Sequence, residues 1–227
     1  MRKLRGWVLA AAVMLVTGAQ AQEAQVLAVD PNPPAGAYTL DLTHGRLIFK
    51  VSHLGFSNYT AFFRDFSADL AFDPANPAAM SVATKVKAAS VETLFSDPGV
   101  NFNALIAGPE FLDAAQFPEI TFVSTAVLVT GEKTAIVTGD LTLHGVTKPV
   151  ALDVTYNGGW AGHPMDPGGA RVGFSAKGSL KRSDFGITYG LPTPGSTLGV
   201  GDTVQIEIEA EFINPAAPKP EAPAPQG

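Results

Sequence analysis

The chain has 227 residues, 46% hydrophobic and 16% charged, with a formal net charge of −6 and no cysteine. That is apolar material for one sizeable core in one or two domains. The acid excess, with no Lys/Arg cluster, argues against nucleic acid or anionic membrane as a partner, and zero cysteines exclude a disulfide framework and thiolate chemistry.

In chain order, "MRKLRGWVLAAAVMLVTGAQAQ" comes first, with a basic start, an apolar run over residues 7–16 and Ala19-Gln20-Ala21. This is the layout of a secretory signal peptide, residues 1–21, cleaved after Ala21. The apolar run is about half the ~20 residues a membrane span needs, so the mature form is expected to have no span. Cleavage removes three basic residues and no acid, leaving 12 basic against 21 acidic residues. A periplasmic or secreted soluble protein is expected. Residues 22–36, with "DPNPPAG", read as a flexible leader, and the folded unit as 37–213.

Residues 46–72, "RLIFKVSHLGFSNYTAFFRDFSADLAF", hold six of the 14 phenylalanines. Leu47, Phe49, Val51 and His53 alternate on one face, and after the turn "GFSNYT" so do Phe66, Ala68, Leu70 and Phe72. Phe62 and Phe63 sit side by side, which predicts a bulge near Arg64. His53 points inward by phase; a satisfied core histidine is the simpler reading beside a ligand contact.

The only helical pattern lies within 99–115, where Phe102, Leu105, Ile106 and Phe111 share an apolar face suited to a lid. Strands then follow. "EITFVSTAVL" offers Ile120, Phe122, Ala126 and Leu128 to one side, and "TAIVTGDLTL" offers Ala135, Val137, Gly139, Leu141 and Leu143. "KPVALDVTY" aligns Val150, Leu152, Val154 and Tyr156. "ARVGFSAKGSL" aligns Val172, Phe174, Ala176 and Leu180, and "TVQIEIEAEF" aligns Val204, Ile206, Ile208, Ala210 and Phe212. Short turns join them. Residues 214–227, rich in Pro and Ala, read as a disordered tail.

Each strand has one apolar face, and there is hardly any helix to cover it. Closing the sheet solves this without leaving edges, whereas a β-sandwich would keep them. The expected fold is all-β: an antiparallel barrel of about eight strands with one short α-helical segment capping it. Such a barrel either fills with side chains or leaves room for one small ligand. Small residues at inward phase (Ala68, Gly139, Ala176, Gly178) lean toward room.

No catalytic constellation is evident, and neither a metal site nor a cofactor is expected. The four histidines lack zinc spacing, and His44, His144 and His163 sit beside turn Gly or Pro as loop residues. Ser183 has no histidine or nucleophile elbow with it. Arg182 and Asp184 continue the inward phase of Phe174 and Leu180. A charged pair there is costly unless its members pair with each other or meet a polar ligand, and both readings stay open. With His53 they would form the one polar spot of an apolar tube.

Taken together, "YTLDLTHGRLIFKVSHLG", "FRDFSADLAFDP", "EFLDAAQFPEITFVST", "GDLTLHGVTKPV" and "RSDFGI" resemble the YceI-like family of polyisoprenoid-binding, lipocalin-like exported proteins, from about Tyr38 to Phe212. The resemblance implies a barrel whose long apolar cavity holds an isoprenoid chain, a polyprenyl phosphate or quinone tail, for transport or storage. Its walls would be Phe49, Val51, Phe66, Leu70, Phe72, Phe122, Leu141, Leu152 and Phe174, and its cap Phe102, Leu105, Ile106 and Phe111. His53, Arg182 and Asp184 would meet a head group. Two departures stand out: Ala61 replaces a common glycine, and residues 102–106 replace a common Arg-Asp-x-His-Leu run. Competing readings are an enzyme using His53 with Asp184 on a lipid, and a filled-core structural or stress-related periplasmic module. A homodimer is left open.

Overall fold

Period-two alternation leaves each strand one apolar face to cover, and the computed structural model covers these faces by closing the sheet. It describes residues 32–163, 166 and 168–217. The signal peptide, leader residues 22–31 and tail residues 218–227 lie outside the described residues.

The strands are β1 (Gly36–Leu40), β2 (Arg46–His53), β3 (Ser57–Phe63), β4 (Phe66–Phe72), β5 (Ser81–Lys87), β6 (Val91–Glu92), β7 (Glu119–Gly131), β8 (Thr134–Leu143), β9 (Val146–Trp160), β10 (Ala170–Lys181) and β11 (Val200–Asn214). Among the described residues one α-helix, α1, spans Phe102–Ile106. The ring runs β1-β4-β5-β7-β8-β9-β10-β11 and closes where Thr39 and Leu40 pair with Ile213 and Phe212. The fold is therefore an all-β, closed, eight-stranded antiparallel barrel.

The edge of β11 has two partners. Its C-terminal end pairs with β1, and its longer N-terminal part pairs with β2, from Val204↔Val51 to Glu209↔Arg46. β1 and β2 thus lie end to end along one strand. β3 and β4 lie end to end beside them: β3 pairs with β2 and β6, and β4 pairs with β1 and β5. The bulge expected near Arg64 is in fact a break between two strands. Arg64 and Asp65 leave the ladder and are held by Arg64 N–H to Ser90 O (3.0 Å) and Lys87 N–H to Asp65 O (3.0 Å).

A bulge does occur in β7, between Ser124 and Ala126. It reverses the strand's phase, because side chains alternate with period two. Ala126 and Leu128, expected inward with Phe122, face outward instead, and Leu128 is 62% exposed. Val127 and Val129 take the inward positions.

The β8–β9 turn is the two-residue loop His144-Gly145, both at positive φ (51° and 75°), as a primed hairpin turn requires. His144 is not an exposed loop residue. It is half-buried, with its ring 4.9 Å from Phe117 and its Nδ1 3.2 Å from Phe185 O. The helix is shorter than the 99–115 pattern predicts, because Gly108-Pro109 stops it after one turn. The Asn101 side chain caps it, accepting from Ala104 N–H.

Two of the small inward-phase residues make room for neighbours rather than for a cavity. A Cβ on Gly139 would lie 2.4 Å from Phe122 Cζ, and one on Gly178 would lie 2.6 Å from Leu152 Cδ2. At the chain ends, Pro33 and Ala217 are buried, so packing extends a few residues beyond 37–213 on both sides.

Candidate functional site

The inward faces do not meet in the middle. They enclose an elongated cavity of about 750 Å³ running along the barrel. At one end, the α1 end, stand the β2–β3 turn, α1 and the chain leading into β11. At the other stand the β7–β8 turn and the chain after β4.

β4 shows how sequence builds the wall: Phe66, Ala68, Leu70 and Phe72 are all buried and all face the cavity, with exposed residues between them. Phe49, Val51, Phe122, Leu141, Leu152 and Phe174 also line it. Toward the far end, rings pack edge to face or tilted against one another. Phe72 lies 5.4 Å from Tyr38, Phe174 lies 5.3 Å from Tyr156, and Phe174 lies 6.1 Å from Phe212. Burial, with Tyr156 nearby, pushes the Tyr38 phenol up to about 12. At the α1 end Phe102, Ile106 and Phe111 face the cavity. Phe102 lies 4.7 Å from Phe95 and 5.7 Å from Tyr59. Leu105, expected in the cap, points away and is 47% exposed.

The lining also includes Tyr59, Phe95, Tyr156, Phe212, Val127 and Val129. Tyr156 and Phe212 share a face with nominated residues and were within reach of the pattern. Tyr59 continues the phase of Ala61 and Phe63. Val127 and Val129 were hidden by the bulge, which no residue in "VSTAV" announces.

The polar spot differs from its expected form. Arg182 lines the cavity and is 4% exposed, but it does not pair with Asp184. Its Nε donates to Gly201 O (2.9 Å), Nη1 to Ile187 O (3.1 Å) and Tyr189 O (2.8 Å), and Nη2 to Val200 O (2.8 Å). Burial pushes the guanidinium's pKa down, and nearby Asp202 opposes that. Four carbonyl dipoles thus solvate a buried cation. Asp184 is absent from the lining: the chain turns into a short 3-10 segment at Arg182, which breaks the strand phase. Its carboxylate lies 3.6 Å from Lys148 Nζ and is half exposed. His53 lines the mouth but is exposed rather than buried in a core. These three residues therefore do not form one polar cluster.

α1 is tied to the barrel by Asn103. Its Oδ1 accepts from Thr93 N–H (2.9 Å) and Thr93 Oγ1 (2.6 Å), and its Nδ2 donates to Glu92 Oε1 (3.1 Å). The Leu94 N–H, with Asn103, holds the Glu92 carboxyl below its ordinary range.

Outside the barrel, Asp41, His44 and Glu211 converge. The positive charge among these carboxylates is Arg171, whose Nη1 donates to Asp41 (2.9 Å) and Glu211 (2.6 Å) and whose Nε donates to Asp166 (2.7 Å). Asp166 foremost raises the pKa of Arg171. Burial pushes the Asp41 carboxyl up, but hydrogen bonds from Thr43, Arg171 and His44 outweigh it and hold it well below the usual range.

The YceI-like domain profile matches residues 38–212. A UPF0312 protein of Pseudomonas savastanoi pv. phaseolicola is 44% identical over 182 residues, covering 79% of this chain and 87% of that one. Among solved structures, Burkholderia cenocepacia BcnA superposes with a TM-score of 0.62 at 29% identity, covering 76% of this chain and 98% of that one. A polyisoprenoid-binding domain from Saccharophagus degradans shares the fold, with a TM-score of 0.55 at 18% identity over 78% of this chain and 98% of that one.

Proposed function

The chain belongs to the YceI-like family, and from that premise we propose that it is an exported protein that holds a long-chain isoprenoid lipid, of the polyprenyl-phosphate or quinone type, in its barrel. The observation carrying this reading is the elongated cavity, walled by aromatic and aliphatic side chains from every strand of the ring. Its size falls within the ~300–1,000 Å³ of ordinary ligand pockets. Its length suits a chain better than a compact molecule. The fold-mate from Saccharophagus degradans, a polyisoprenoid-binding domain, supports the ligand class.

The role is binding rather than catalysis. In support, His53 and Asp184, an example of the acid–base pair an enzyme would need, are separated: one lies at the mouth and the other faces Lys148. Burying one methylene contributes about 0.8 kcal/mol, so a five-carbon unit contributes roughly 4 kcal/mol before association costs. Affinity needs no special polar contact. Export rests on the N-terminal pattern, and intact mass of the exported chain should show cleavage after Ala21.

The test of binding is mass spectrometry of organic extracts from purified protein. The expected result is an isoprenoid at near-stoichiometric yield. Extracts without lipid, from protein that also takes up none when offered a polyprenol, would sink the reading in favour of a structural module.

A further inference from the structure

The α1 end of the barrel carries an exposed apolar rim. Phe56 (82% exposed), Leu94 (74%), Leu198 (70%) and Tyr189 (52%) project from it. They come from three segments, 54–56, 93–111 and 187–200, with the third in contact with each of the other two. Leu54 N–H donates to Gly199 O (2.8 Å), Phe95 stacks on Phe102, and Tyr189 lies 5.3 Å from Phe111. Among the residues of these segments, all described, the charged ones are two acids, Asp97 and Glu110.

The loops are also held in place at a cost. Leu54 and Leu94 have φ of 55° and 51°, a left-handed conformation unfavourable for bulky side chains. Glu92 Oε1 accepts from Leu94 N–H (3.0 Å), and Arg182 grips the carbonyls of the 187–200 loop. Strain that the surroundings over-determine marks functional positions more often than idle ones.

We propose that this rim docks on a lipid bilayer, inserting its side chains at the boundary between head groups and acyl chains, so that cargo passes between membrane and cavity without crossing water. This rests on the lipid-binding reading above. Continuity carries it: Phe95 and Phe102 belong both to the cavity lining and to the segment that presents Leu94, and Tyr59 of β3, which packs on Phe102, lines the cavity three residues from Phe56. Charge selects the occupant. The rim offers no cation for an anionic partner, and its two acids, Asp97 and Glu110, make no cluster for a basic one. Binding is therefore by apolar insertion, with little dependence on salt or anionic lipid.

The experiment is flotation of the mature protein, beginning at Gln22, with phosphatidylcholine vesicles, at low salt and in 0.5 M NaCl, beside the double variant Phe56→Ser/Leu198→Ser and the control Leu128→Ser. The expected result is vesicle association at both salts, reduced at least tenfold by the double variant and unchanged by the control. Neither Phe56 nor Leu198 lines the cavity, so polyprenol uptake from detergent should persist in the double variant. Uptake of polyprenol without any flotation would overturn docking and leave the binding function standing. Flotation without polyprenol uptake would do the reverse. A dimer that the double variant dissolves, in place of flotation, would identify the rim as an interface between copies and overturn the proposal.

Discussion

Arg182 owes its position to carbonyls, not to a carboxylate. Arg182→Ala removes donors from four backbone oxygens at the loop leading into β11, and each orphaned acceptor costs on the order of 1–3 kcal/mol unless water replaces the donor. We expect a net loss of about 3 kcal/mol, read from the denaturant midpoint. Because the guanidinium is committed to the fold, affinity for a polyprenyl phosphate and for a plain polyprenol should fall by the same factor in a titration; a selective loss for the phosphate would give Arg182 a head-group role. Gly139 and Ala68 are both small, for different reasons. Gly139→Ala pushes a Cβ into Phe122 and Val123 O and should cost about 1–3 kcal/mol. Ala68→Leu instead extends into the cavity, so thermal unfolding should show stability kept or raised while polyprenol binding weakens. The inward phase of both residues was legible in the sequence. Which one faced a ring and which faced space was not, because that depends on the neighbouring strand.

At the scale of elements, alternation made β4, β8, β9, β10 and β11 readable almost residue by residue. It failed where a local break changes phase: at the β7 bulge, at the gap between β3 and β4, and at the turn that swings Asp184 out. Each is fixed by pairing with a distant strand, which no local pattern encodes. The Arg171 cluster joins β1's exit, β10 and β11, and its contribution depends on pH. The Asp41 carboxyl is held below its ordinary 3.8 when folded, so its stabilisation is complete above that value and is lost as pH falls below it. The denaturant midpoint should therefore drop on acidification below about pH 4. Asp41→Asn should lower it at pH 7 and flatten the acid slope. α1 depends on one side chain for its tie to β6. Asn103→Ala should abolish hydrogen-exchange protection at the Thr93 amide, with little change at β10 or β11.

For the whole molecule, the cavity predicts a chain-length law. Each added isoprene unit should tighten binding at least tenfold until the tube is full, and lengthening beyond that should add nothing. A titration series of polyprenols measures it, and affinity indifferent to length would mean that only one end of the ligand is held. The barrel and its capping helix could be anticipated because eight apolar faces without helices have few ways to be covered. The double partnership of β11 could not, since β1 and β2 read as separate strands with no mark of a shared neighbour. That partnership sets an order of events. β1 and β2 lack a neighbour on one side until β11 emerges, so the ring is completed by the contacts most distant in sequence, a class of pairing that forms slowly. Until that step the aromatic faces are open to water and to other chains, and a holding chaperone would have to cover them. A chain cut after Lys181 should capture no polyprenol and should light up an apolar dye. Cargo can be loaded only after folding is complete, never during synthesis.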